Sequence, residues 1–414
     1  MSKIIVIGGG AAGLMAAGTA AELGASVVLF EKNKRVARKL CITGKGRCNI
    51  TNNCSVSDFI ENVNSNPRFM YSAINAFDTA DTMSFFEDLG LELKTERGNR
   101  VFPQSDKATD VVDALERFTR KSGVEIKSFV TVNKLIIEDS AVKGVVTSDG
   151  NEYYCDALII ATGGKSYPLT GSTGDGYKFA RQAGHTVINP TGSLVPLECK
   201  GKDLKYCKEM QGLSLRNVAV KLFSGKKTVY SDFGELLFTH FGLSGPTILS
   251  SSAHMDFEKN SDYLISIDLK PALTPEKLNE RILRDFEKYK NREVVNALAD
   301  LLPSSMIPVV IERLGFDPHL RCNSVTKEER FELINLLKNF TLAISGIRPV
   351  DDAIITRGGV KTSEIDPATM ESKVCGGLYF CGEVIDVDAY TGGFNLQIAF
   401  STGRLAGTWA VYNS

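Results

Sequence analysis

The sequence predicts an α/β protein in which a doubly wound parallel-sheet domain is interrupted by a β-rich insertion and a helical cap. Three observations predict it. An apolar, β-branched run at 4–7 leads straight into Gly8, Gly10 and Gly13. A second fully apolar run, 157–161, ends in Thr162-Gly163-Gly164. A third, 377–381, is followed by Gly382-Glu383 and then by Gly392-Gly393, which opens a final helix. Between the second and third, the chain reads as strand and turn over 192–269 and as helix over 271–339.

The first run shows no apolar/polar alternation, as expected of a strand buried on both faces. The glycines have G-x-G-x-x-G spacing. Gly8 permits a tight turn, Gly10 lets a pyrophosphate approach the backbone, and Gly13 lets the helix pack close to the strand. The small-residue helix over 14–23 offers unpaired N–H groups and a partial positive charge to phosphates. Gly24 ends it and 26–30 forms a second strand. Glu31, eighteen residues after Gly13, can accept hydrogen bonds from ribose hydroxyls. A glycine triad alone also serves as an ordinary structural turn. With strand, helix and carboxylate all in place, it reads as a dinucleotide site.

The length, 414 residues, suggests two or three domains. A net charge of −1 argues against a nucleic-acid or membrane-surface role for the chain as a whole. No apolar run approaches membrane-spanning length. The N-terminus lacks the features of a signal peptide, so the expected location is the cytoplasm. None of the nine cysteines forms a C-x-x-C, and no pair stands near a histidine at zinc-ligand spacing. Free thiols in a reducing compartment, and no metal, are expected.

Residues 32–53 carry Lys32, Lys34, Arg35, Arg38, Lys39, Lys45 and Arg47, and no acid. They form either a solvated basic loop or a cofactor contact. The second fits better, because the segment begins where ribose and pyrophosphate should lie. Gly44 and Gly46 bracket cations that can neutralise phosphates, and Asn49 can bond a polar ring edge. Cys48 is expected to pack near a ring rather than react, since no resolving cysteine is evident. Helices follow over 59–89, then a hairpin near Arg97-Gly98-Asn99 and a helix over 108–122. Strands at 124–129, 132–138, 142–148 and 152–155 form a β-meander, with Val130 where a doubly wound sheet would meet an adenine. Glycines at 163–164 let a loop lie against a dinucleotide. In 171–177, Thr173 or Asp175 can cap the next helix.

The C-terminal segment decides the cofactor. Glu383, after an apolar strand, suits a ribityl hydroxyl. A glycine pair at a helix N-terminus suits the pyrimidine end of a flavin, which gains negative charge on reduction. The expected cofactor is therefore FAD.

The stretches 43–52, 171–177, 233–246 and 390–397 resemble those of the HI0933-like flavoprotein family, and the resemblance covers essentially the whole chain. That family includes aminoacetone oxidase family members and bile-acid enone reductases. The resemblance implies a glutathione-reductase-type FAD-binding domain at 1–191 and 356–414, a β-rich substrate domain at 192–270 and 340–355, and a helical cap at 271–339. It places FAD contacts on Gly8, Gly10, Ala11, Ala12, Gly13, Glu31, Lys32, Lys39, Gly44, Gly46, Arg47, Cys48, Asn49, Val130, Thr162, Gly163, Glu383, Asp386, Gly393, Asn395, Leu396 and Gln397. Gly174-Asp175-Gly176 is also locally similar to fumarate-reductase and ketosteroid-reducing flavoproteins.

The expected reaction is reduction of an activated C=C beside a carbonyl, as in a 3-oxo steroid or bile-acid derivative. Hydride passes from flavin N5 to the β-carbon and a positioned acid protonates the α-carbon. Tyr167, His240 and Tyr390 are candidate donors because they lie in or beside the motif loops; core packing is the plainer role for each. One alternative is an amine oxidase that releases hydrogen peroxide. Another is a non-catalytic or RNA-linked flavoprotein whose basic segment serves nucleic acid, disfavoured because FAD phosphates already account for those charges. With one dinucleotide fingerprint, NADH or NADPH binds transiently or electrons come from another protein. The expected partner is an apolar small molecule, with neither nucleic acid nor membrane.

Overall fold

The apolar N-terminal run forms strand β1 (Lys3–Ile7), buried from Ile4 onward. The chain turns at Gly8 (φ +103°) into helix α1 (Ala11–Glu22) and returns as β2 (Ser26–Glu31). β3 (Glu125–Ser128), β4 (Ala157–Ile160) and β5 (Leu378–Phe380) complete a five-stranded sheet of order β5-β4-β1-β2-β3. All its pairings are parallel, with Ile7 opposite Phe30 on one side and Ile160 on the other. Both β4 and β5 are wholly buried, each such aliphatic side chain contributing about 1.5–3 kcal/mol. Strand order reverses at β1, so a crevice opens at the carboxyl ends of β1 and β4.

The computed structural model describes residues 1–257 and 262–414. These divide into two units, Met1–Ser193 with Pro349–Ser414, and Leu194–Arg348. In the first unit, α2 (Phe394–Tyr412) packs on α1. A Cβ on Gly403 would lie 2.5 Å from the Ala12 carbonyl oxygen, and one on Gly407 2.4 Å from that of Ala16. The two helices therefore touch backbone to backbone. Three of the four strands expected in the meander form it, Val132–Glu138, Ala141–Thr147 and Glu152–Tyr154; the first, expected at 124–129, instead joins the parallel sheet as β3. An antiparallel ribbon, Val187–Ser193 with Ile355–Val360, lies where the chain leaves this unit and re-enters it. Residues 192–193 and 349–355, which the sequence grouped with the β-rich stretch, belong to the first unit because the ribbon's pairing starts at Ser193 and Ile355.

The second unit is built on a closed six-stranded barrel. Its long hairpin, Ser214–Ser224 with Lys227–Phe238, pairs on to Tyr263–Asp268, and Phe340–Ile347 closes the ring against Leu197–Cys199. Helices between 275 and 338 share one core with it, Leu278, Ile282 and Leu337 joining Ile265 and Leu342. Within 192–269, expected to be largely strand and turn, the structure adds two helices, Gly201–Glu209 and Pro246–Ser252. Tyr206 and Cys207 of the first, and Ile248 of the second, turn into the barrel core. Among the described residues no helix is long and apolar enough to cross a membrane, and no group of three or more His, Cys, Asp or Glu is placed to hold a metal ion.

Candidate functional site

A cavity opens in the first unit at the carboxyl ends of its parallel strands. The turn at Gly8, Gly10, Ala11 and Ala12 lines it, as do Glu31, Lys32, Lys39, Val130, Thr162, Gly163, Glu383, Asn395 and Leu396. Segments far apart in sequence meet there because β1, β2, β4 and β5 end on the same edge. Gly13 does not line the cavity. A Cβ on it would lie 1.9 Å from the Gly8 oxygen, so its job is close packing of α1 on the turn.

At one end, Glu31 is buried and both carboxylate oxygens are engaged. Oε2 accepts from the Gly9 N–H at 2.9 Å, and Oε1 accepts from the Asn33 N–H and Nδ2, each at 2.7 Å. Oε1 thus uses both its acceptor sites, while Oε2 keeps a second lone pair for an incoming hydroxyl. Val130 donates its N–H to the Glu31 carbonyl at 3.1 Å, which brings the β3 end to the same wall. Lys32 Nζ pairs with Asp175 at 2.6 Å. Asp175 and Thr173, expected as caps, make no cap hydrogen bond; Gly174 is the N-cap, and the two polar side chains hold Lys32.

At the other end, Lys39 Nζ lies 2.6 Å from both Glu383 Oε2 and Ser166 Oγ. Glu383 Oε1 also accepts from Ser166 Oγ and the Thr356 N–H, each at 2.9 Å. Thr356 Oγ1 in turn accepts from the Lys165 and Ser166 N–H groups, at 2.8 and 3.1 Å. Sequence reasoning found Lys39 and Glu383 but missed Ser166 and Thr356, which fix their geometry. Beside them Tyr167, itself outside the cavity lining, is half-buried with φ +55°, uncommon for a bulky residue. Burial, and secondarily Asp352, raise its pKa above the ordinary value.

The basic loop is a chain of left-handed residues, Gly44, Lys45, Gly46 and Cys48, with φ between +57° and +83°. Of this loop Thr43 lines the cavity; Gly44, Gly46, Arg47, Cys48 and Asn49 do not. Arg47 is spent on Glu96 and Asp106 and lies 4.1 Å over the Phe102 ring. Cys48 is fully buried, and burial pushes its thiol up to about 12. A thiol so protonated is a packing group, not a nucleophile.

The C-terminal amides hold the chain's own backbone. Asn395 accepts from the Ala389 N–H at 2.9 Å and donates to the Ala389 oxygen at 2.7 Å. Gln397 is fully buried, donating to the Phe77 and Asp78 oxygens and accepting from Thr51 Oγ1 at 2.6 Å. Gly393 caps α2 at φ +100°. Gly393, Gln397 and Asp386 lie outside the cavity lining; Asp386 is held by Asn66 at 3.1 Å, and burial raises its pKa. Tyr390 is half-buried, bonded through its N–H to the Asn62 oxygen, and also outside the lining. His240 belongs to the second unit, exposed and edge-on to Phe241 at 5.0 Å.

The donor set suits an extended dinucleotide. A Cβ added to Gly10 would meet nothing within 4 Å, leaving room for a phosphate against the first turn of α1. Thr162 Oγ1 is buried without a hydrogen-bond partner, in the cavity wall. A carboxylate stands at one end, Glu31, and a lysine–carboxylate pair at the other.

The parallel sheet, its glycine turn and the inserted barrel define the class: a Rossmann-type, FAD-binding doubly wound fold. The model of the HI0933-like protein Rossmann domain matches residues 2–409, and the chain belongs to that family. It is 32% identical over 411 residues to a 3-dehydro-bile acid delta(4,6)-reductase of Clostridium scindens, covering 98% of each chain. It is 33% identical to a ribosomal RNA dihydrouridine synthase of Haemophilus influenzae, covering 97% of this chain and 96% of that one. Among solved structures, a 3-ketosteroid-delta4-(5alpha)-dehydrogenase of Rhodococcus jostii shares the fold with a TM-score of 0.54 at 16% identity, covering 99% of this chain and 97% of that one.

Proposed function

We propose that this chain is an FAD-dependent oxidoreductase that saturates a C=C bond conjugated with a carbonyl. The observation that carries this reading is the cavity that runs from Glu31 past the α1 N-terminus to the Lys39–Glu383 pair. The relatives support the reaction class. One is named for delta(4,6) reduction of a 3-dehydro-bile acid, the other for making dihydrouridine. Both names describe saturation of a double bond in conjugation with a carbonyl.

Glu31 would hold the adenosine ribose, the first turn of α1 the pyrophosphate, and Glu383 with Lys39 the ribityl side. Asn395 and Leu396, at the start of α2, would meet the ring end. Bound FAD supplies two-electron hydride chemistry. The proton for the α-carbon must then come from the chain, and Tyr167 is the donor we assign. A tyrosine phenol is protonated at neutral pH and burial raises this one's pKa further; its left-handed backbone marks a site where strain is retained. NADH or NADPH, bound transiently, is the proposed electron source.

The substrate we put first is a 3-oxo steroid or bile-acid enone. A uracil base of ribosomal RNA is the second reading, favoured by the Haemophilus relative. The test is anaerobic reduction of the FAD-loaded chain with NADH or NADPH, then mixing with a 3-oxo-4,6-diene bile acid or with RNA lacking dihydrouridine. Gain of two hydrogens by either substrate, read by mass spectrometry, supports the class and picks the substrate. Reoxidation only by oxygen, with peroxide formed from a primary amine, would overturn it in favour of an amine oxidase.

A further inference from the structure

Asn33 ties together a solvent-facing patch at the Glu31 end of the cavity. Its carbonyl accepts from the Phe129 N–H at 3.2 Å, and its Nδ2 approaches the Thr170 oxygen at 3.3 Å. Its Oδ1 accepts from Arg38 Nη1 at 2.8 Å. Phe129 is 70% exposed and Leu169, next to Thr170, 88% exposed. Phe129 is held at φ +59°, a conformation that a bulky side chain rarely adopts. A strained aromatic kept in water is not explained by packing.

The segment that carries Asn33 is rich in cations. Lys32 and Lys39 are committed to Asp175 and Glu383. Lys34, Arg35 and Arg38 are exposed and, among the described residues, form no ion pair. Asp175 is already paired with Lys32. Unpaired cations beside an exposed ring match single-stranded nucleic acid, where phosphates are neutralised and bases stack on aromatic and guanidinium planes. Two isolated apolar side chains offer little to a lipid surface.

We propose that Lys34, Arg35, Arg38, Phe129 and Leu169 form a docking surface for single-stranded RNA, continuous with the cofactor cavity. The surface rests on the uracil reading for its use, but its binding is measured without turnover. A net charge of −1 for the whole chain does not oppose this, because the patch is local.

The experiment uses the FAD-loaded full chain and a short fluorescein-labelled, uridine-rich single-stranded RNA, with anisotropy read across added salt. Three neutralised phosphates predict a log–log salt slope of about −2. Lys34→Ala should make that slope shallower by about 0.7. Phe129→Asn, which tolerates the left-handed backbone, and Leu169→Ser remove the apolar contacts. Loss of base stacking on Phe129 predicts roughly five- to hundredfold weaker binding. Arg35 and Arg38 stay unaltered because they line the cavity. Unchanged FAD absorbance shows that the variants fold. Variants that bind RNA as tightly as the parent overturn the surface, as does a parent that binds anionic phosphatidylglycerol vesicles or an acidic protein but not RNA. Patch-dependent RNA binding without dihydrouridine formation sinks the uracil reading and leaves the surface standing. Dihydrouridine formation with patch-independent binding does the reverse.

Discussion

Lys39 Nζ lies 2.6 Å from Glu383 Oε2, a contact that joins residues 344 positions apart. Lys39 comes from the loop after β2 and Glu383 from the turn after β5, so the pair closes the cavity between the first and last parts of the chain. Ser166 and the Thr356 N–H complete the carboxylate's hydrogen bonds. A charge-assisted hydrogen bond is worth about 1.5–3 kcal/mol net, reduced here because both side chains keep some exposure, 24% and 13%. Lys39→Met should weaken FAD binding about tenfold. Glu383→Gln keeps an acceptor for Thr356 and should weaken it less. Wild-type affinity for both, in a fluorescence titration of the apoprotein, would show that neither holds the cofactor.

Glu31→Gln tests the opposite end. A carboxamide has one acceptor oxygen and cannot serve both the Gly9 and Asn33 N–H groups, so one buried donor faces an NH2. That costs about 1–3 kcal/mol, and the midpoint of urea unfolding should fall even without FAD. An unchanged midpoint with lowered FAD affinity would mean that the carboxylate serves the cofactor alone.

Gly13→Ala places a methyl 1.9 Å from the Gly8 oxygen. The turn and α1 must separate, at a cost at or above the usual 1–3 kcal/mol, roughly, of overpacking. Thermal unfolding should drop, and FAD should be lost at temperatures where the parent retains it. Normal melting with full FAD content would refute close packing as this glycine's role.

Buried thiols set an alkaline limit. Burial raises Cys48 and Cys155 to about 12, against roughly 8.5 in an unfolded chain. Below the unfolded value both states keep the proton and stability is complete. Above it only the unfolded chain ionises, so stability falls by about 1.4 kcal/mol per pH unit per thiol until the folded value is reached. Cys48→Ala should flatten that decline by one group's share. Rapid iodoacetamide labelling of native Cys48 near neutral pH would contradict the burial argument.

Tyr167→Phe isolates the proton step. Flavin content and reduction by NADH or NADPH should be intact, while saturation of the substrate slows by about 10²–10⁴. The raised pKa of Tyr167 fixes the sign of the pH profile. The donor must be protonated, so the rate holds across neutral pH and falls only above the ordinary tyrosine range of about 10. A variant as fast as the parent removes Tyr167 from the chemistry.

The β1–glycine–α1–β2–Glu31 unit was legible because each cue acts within one contiguous stretch: buried strand, turn glycines, helix and terminal acid. The runs that became β4 and β5 were readable for the same reason. Ser166 and Thr356 were not, since Thr356 bonds backbone groups 190 and 191 residues away and only tertiary closure brings them together. Asn395 and Gln397 were placed at the cofactor by the family resemblance alone. Asn395 lines the cavity while bonding the Ala389 backbone, and Gln397 lies outside the lining, bonded to Phe77, Asp78 and Thr51, partners that no local pattern reveals. Of the two helices hidden in 192–269, Pro246–Ser252 carried a start signal, proline at its first position after Gly245, that the surrounding strand residues masked.

The sheet of the first unit is finished by β5, which follows the whole barrel unit in sequence. While residues 161–377 are being synthesised, β4 has β1 on one side and nothing on the other, and its exposed edge is the wholly apolar Ala157–Ile160. An unpaired apolar edge invites association with other chains. The barrel unit, Leu194–Arg348, is contiguous and complete before Leu378 emerges. Release of the nascent chain before β5 and α2 are made would therefore leave the sheet open at β4, and ties assembly of the first unit to the segment that follows the barrel.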